Sequence, residues 1–147
     1  MLALILATAC AGLFCGAALY INLVEHPARM ACGTGLAVRE FGPSYRRAAI
    51  MQASLAIVGL VLGVLAAWQR HDWWVGVGAL LLGAVVPFTL LVILPTNQRL
   101  LAPALDAQSR DAMHLLGRWN ALHAVRTGLS AAAFGALLCR LATHGAP

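Results

Sequence analysis

Four stretches with little or no charge, Leu2–Val24, Ala48–Trp68, Trp73–Leu94 and Trp119–Cys139, constrain this chain more than any other feature of its sequence. Each is close to the roughly 20 apolar residues that cross a hydrocarbon core as a helix. A bilayer core offers backbone N–H and C=O groups no water, so such segments must close their hydrogen bonds internally. Only 10% of the residues are charged, against about 25% in soluble domains, and the chain reads as an integral membrane protein. The connections are too short to form a soluble core of their own, which predicts one four-span domain over residues 1–147. The expected fold is all-α, a transmembrane antiparallel four-helix bundle. A short interfacial helix is predicted before the fourth span, where Asp106, Arg110, Asp111, His114 and Arg118 recur at helical spacing.

The charge pattern sets orientation and excludes some functions. The net charge of +5 comes from arginines, without a run of basic residues or a soluble domain to present them, so nucleic acid is not an expected partner. Seven arginines (Arg29, Arg39, Arg46, Arg47, Arg99, Arg110 and Arg118) flank one end of the spans, and only Arg70 and Arg140 flank the other. The positive-inside rule then puts the long connections in the cytoplasm and both termini outside, in a bacterial inner membrane. The first span lacks a basic n-region and is too long for a cleaved h-region, so it reads as retained. Cys10, Cys15, Cys32 and Cys139 form no CxxC pair and read as small packing residues.

Local signals divide the connections. Pro27 is expected to stop the first helix, and residues 27–47, rich in Gly and Arg, read as a loop in which Gly33-Thr34-Gly35 makes a turn. Gly12/Gly16 and Gly59/Gly63 have the GxxxG spacing that lets helix backbones approach. Gln52 and Ser54 fit either a cavity wall or bonds to their own helix backbone, and the second reading is preferred. Trp68, Trp73 and Trp74 mark an interfacial belt, and Pro87 predicts a kink near Gly83.

The polar residues inside the apolar runs point to a site. Only the fourth span carries a charge, Arg126, and an intramembrane arginine is a functional-site hypothesis in itself. Trp119, His123 and Arg126 fall on one helical face, with Asn120 beside His123. Asn22, Glu25 and His26 cluster at the end of the first span, and antiparallel packing brings them to the same end, together with Asn97. At about 1.5 Å per residue, Asn22, His123 and Arg126 lie roughly 7, 6 and 10 Å below the interface. These residues describe a polar pocket open towards one interface, with Arg126 paired to Glu25 or to a neighbouring polar group.

Three segments carry a resemblance: Asn22-Leu-Val-Glu25-His26-Pro27, Leu94-Pro95-Thr96-Asn97-Gln98-Arg99-Leu100, and Arg118-Trp119-Asn120-Ala121-Leu122-His123-Ala124-Val125-Arg126. In this order and spacing, the chain resembles the anthrone-oxygenase-like family of small four-span membrane proteins. The resemblance implies a membrane oxygenase that oxidises an anthrone to an anthraquinone with O2 and no evident cofactor. On that reading His123 or His26 is the base, and Arg126 and Asn120 stabilise the anion. Tyr20, Asn22, Glu25, Asn97 and Trp119 would bind the substrate. The expected partners are a lipophilic small molecule, O2 and the bilayer, with a homo-oligomer also open. Two other classes stay open: a metal- or haem-binding oxidoreductase using His26, His123 and Glu25, and a non-catalytic membrane binding or scaffold protein in which the polar groups only fix helix positions.

Overall fold

The computed structural model describes the backbone of residues 1–145 and the side chains of residues 1–143. Four helices, α1 (Leu2–Ala31), α2 (Thr34–Arg70), α3 (Trp73–Leu100) and α4 (Arg110–Gly145), run antiparallel, and each is long and apolar enough to cross a membrane. Each packs chiefly on its neighbours in sequence, and α4 closes the ring on α1. This is the predicted bundle. At 1.5 Å per residue α2 is roughly 55 Å long, well beyond a hydrocarbon core of about 30 Å, so its first turns continue outside as helix.

Glycines set the helix spacing, because apolar burial alone does not drive helix association in lipid and close packing must. A Cβ on Gly59 would lie 2.5 Å from Leu82, and one on Gly63 would lie 2.6 Å from Ala79, so both positions are filled by neighbouring helices. Gly12 packs on Phe134 in the same way, whereas Gly16 has nothing within 4 Å. Cys15 is buried and Cys10 half-buried, while Cys32 and Cys139 are exposed.

Three sequence expectations are corrected. No separate interfacial helix precedes the fourth span: residues 101–109 form turns, and Arg110 begins α4 directly. Ser109 caps that start by accepting from the Ala112 N–H at 3.1 Å, and nothing between Arg110 and Trp119 interrupts the helix. The helical spacing there belongs to the span itself. Residues 27–47 are not a loop either; the break is confined to Cys32 and Gly33, where Gly33 has φ +95°. Pro43 is accommodated within α2 at an exposed position.

Pro27, thirdly, does not stop α1. The turn before it, Ile21–Glu25, is π-helical, with the His26 N–H bonded to the Ile21 carbonyl. A widened turn gives the proline ring room against the preceding backbone. The same device recurs in α3, where Thr89–Ile93 is π-helical, lies two residues after Pro87 and is followed by Leu94-Pro95. Pro87 also lies inside a continuous helix, with the wide turn after it and not before it.

The interior has two packed clusters. One contains Leu4, Phe14, Val75, Leu82 and Leu137; the other, towards the end with the wide turns, contains Ile21, Phe41, Ile93, Leu116 and Trp119. A cavity lies where they meet.

Candidate active site

The cavity is about 160 Å³ and has largely apolar walls, with Phe14 and Val85 from one cluster and Ile21, Phe41, Ile93 and Trp119 from the other. Glu25, Gln52, Asn97, His123 and Arg126 supply its main polar groups, from all four helices. An apolar pocket with a few convergent polar groups is the usual form of a small-molecule site. Its wall includes Ala53, which is exposed, and Leu90, which is 57% exposed, so it reaches the lipid-facing surface between α2 and α3.

His123 is 2% exposed and held from behind. The Asn22 amide nitrogen donates to the Asn120 backbone carbonyl at 3.2 Å and to the Asn120 side-chain oxygen at 2.8 Å. A backbone carbonyl only accepts, so this contact fixes which way the Asn22 amide points. Its oxygen accepts from Thr127 Oγ1 at 2.6 Å and faces His123 Nδ1 at 2.8 Å. Nδ1 therefore carries the hydrogen, and Nε2 presents a lone pair with no hydrogen-bond partner among the described residues. Asn22 and Asn120 line no part of the cavity; they orient the imidazole that does.

Arg126 is 9% exposed. It donates to Gln52 Oε1, across the diagonal of the bundle, and lies 5.1 Å over the Phe14 ring. Of the two expected partners, Glu25 or a neighbouring polar group, the structure shows the second, and no ion pair with Glu25 forms. Glu25 instead accepts from Arg29, one turn along its own helix, and from Ser44 Oγ at 2.7 Å, while Arg29 Nε also meets Glu40 at 2.9 Å. A partner one turn away on the same helix face outcompetes one across the bundle. Among the described residues Arg126 has no carboxylate partner, and its Nε and the Gln52 Nε2 have no hydrogen-bond partner. A buried cation with only neutral company favours anions beside it.

The remaining candidates divide. Trp119 lines the cavity, packs edge-on to Phe41 at 5.3 Å, and contacts both His123 at 4.8 Å and His26 at 5.7 Å. His26 is buried but off the cavity wall, and Tyr20 is 55% exposed on the outside of α1. Among the described residues no three His, Cys, Asp or Glu side chains converge on a point fit for a metal ion, and His26 does not share the cavity wall with Glu25 and His123. The donor set of His26, His123 and Glu25 therefore does not fit a metal as it stands.

Sequence reasoning missed Phe41, Ser44 and Tyr45 and preferred a backbone bond to a cavity role for Gln52, yet all four line the cavity. The signal was present. Positions 41, 45, 48, 52 and 56 share one helical face, hidden because half of it was read as loop.

The anthrone oxygenase family model matches residues 41–136, well over half of the chain. The chain belongs to the anthrone oxygenase family. The matched segment contains Tyr45, Gln52, Asn97, Trp119, His123 and Arg126, and begins after Asn22 and Glu25. No curated protein and no solved structure matches the chain. Membership in this family suggests an oxygenase-like function.

Proposed function

We propose that this protein is a membrane-embedded oxygenase that converts the benzylic CH₂ of a flat, weakly acidic, anthrone-type molecule into a carbonyl with O2. One observation carries the reading: among the described residues, an imidazole whose Nε2 has no hydrogen-bond partner shares an apolar cavity with an arginine that has no carboxylate partner. A structural network has no need of an uncompensated cation, but a site that generates an anion does.

In the mechanism, His123 Nε2 takes a proton from the CH₂. The electron pair left behind delocalises onto the carbonyl oxygen, where Arg126 and Gln52 stabilise the negative charge. The electron-rich anion passes one electron to O2, and the two radicals combine to form a C–O bond. The proton held by His123 completes a hydroperoxide. A second C–H deprotonation expels hydroxide, which leaves as water, and the carbon becomes C=O. The balance is CH₂ + O2 → C=O + H₂O, with the substrate supplying all the electrons. Trp119 and Phe41 provide aromatic surfaces for a flat ring system, and the opening beside Ala53 and Leu90 faces the solvent in which such a substrate dissolves.

The test is turnover of anthrone by the protein in nanodiscs under ¹⁸O2, with one labelled oxygen expected in the anthraquinone carbonyl and the other in water. Consumption at the rate of empty nanodiscs would overturn the assignment.

A further inference from the structure

We propose that Asn97 determines which ring substituents the cavity accepts, by holding a hydroxyl group on the edge of the substrate remote from Arg126. The proposal deepens the oxygenase reading and rests on it for the ring system. Asn97 lines the cavity and is 1% exposed. Its backbone carbonyl is used, accepting from the Leu101 N–H at 3.0 Å. Its side chain is not: neither Nδ2 nor Oδ1 has a hydrogen-bond partner among the described residues. A buried amide with both ends empty opposes folding and needs an explanation.

The chemistry of the amide selects the missing partner. Asn presents an acceptor oxygen and a donor nitrogen side by side. A hydroxyl satisfies both from one atom, donating to Oδ1 and accepting from Nδ2. A ketone would satisfy only the nitrogen, a carboxylate would face Oδ1 with like charge, and an alkyl group would satisfy neither.

The position of Asn97 sets where that hydroxyl lies. It stands four residues after Ile93 towards the end of α3, the same end of the bundle as Trp119. Arg126 lies seven residues further into α4, about 10 Å along the axis. His123 falls between them. The cavity thus has an anion-stabilising end, a base in the middle and a hydroxyl-binding end.

The experiment measures binding of three probes to the protein in nanodiscs: anthraquinone, 1-hydroxyanthraquinone and 2-hydroxyanthraquinone. The wild type is expected to bind at least one hydroxylated probe about tenfold or more tighter than anthraquinone. Asn97→Leu should abolish that preference while retaining anthraquinone, and should raise Tm, because an unpartnered amide has been removed. A wild type without preference, an equal loss for all three probes, or a lower Tm in Asn97→Leu overturns the proposal and makes Asn97 a packing residue. The two readings fail separately: a hydroxyl preference without turnover leaves Asn97 in place and removes the oxygenase assignment, and turnover without preference does the reverse.

Discussion

At the scale of single residues, the site depends on which polar groups meet and which are left without partners. His123→Ala is expected to lower anthrone turnover by about 10² or more, with helical content and anthraquinone binding retained; kinetics alongside circular dichroism check this. Arg126 leads to a less familiar outcome. Replacing a whole buried ion pair by apolar residues of similar volume is often neutral or stabilising, by about 1 to 4 kcal/mol, because the desolvation cost goes with the charges, and among the described residues Arg126 has no carboxylate partner to leave stranded. Arg126→Met should therefore hold or raise Tm in detergent while abolishing turnover, and a large loss of stability would show that the arginine is held by more than Gln52. A double-mutant cycle separates the possible partners. Arg126 and Gln52 should show a coupling of about 0.5 to 3 kcal/mol, whereas Arg126 and Glu25 should add within about 0.5 kcal/mol, because Glu25 belongs to Arg29 and Ser44.

At the scale of elements, two wide turns and a row of glycines do most of the positioning. The π turn at Ile21–Glu25 carries Asn22 to α4, where it orients His123, and Glu25 to α2. The turn at Thr89–Ile93 opens α3 beside the cavity. Away from the site, Gly63 brings α2 onto Ala79, whose Cα would lie 3.4 Å from an added Cβ. Backbone cannot give way as a flexible side chain can, so Gly63→Leu should cost about 1 to 3 kcal/mol or more. Gly16→Leu, in open space, should stay within about 0.5 kcal/mol. Equal Tm shifts for the two variants would contradict this packing.

At the scale of the whole molecule, the four helices make a closed ring whose cavity opens sideways. If the substrate arrives from the bilayer, Ala53→Trp should slow anthraquinone association, and Met51→Trp should not; Met51 stands on an adjoining cleft that is lined by Glu40 and Arg47 and shares Glu25, Ser44 and Ala48 with the cavity wall. The reverse pattern would mean admission from the aqueous face. The arginine distribution orients the ring: reporter fusions at the C-terminus should be active only outside the cytoplasm, and cytoplasmic activity there would invert the topology.

The sequence by itself determined the four helices, their antiparallel order and the end at which the polar residues gather. These follow from hydrophobic length and from backbone bonds that lipid leaves no choice but to close locally. It also brought Asn22 and His123 to about one depth, because helical rise is nearly constant. Only the tertiary structure decided the partners. Glu25 could reach Arg29 or Arg126, and it took Arg29, one turn along its own helix, together with Ser44 of α2. Residues 27–47 contain Gly and Pro that locally favour a loop, and packing against the other helices kept most of them helical. That pairing and that packing left Arg126 without a counter-ion among the described residues and brought Phe41, Tyr45 and Gln52 to the cavity wall, because helix packing is settled by neighbours far apart in the chain.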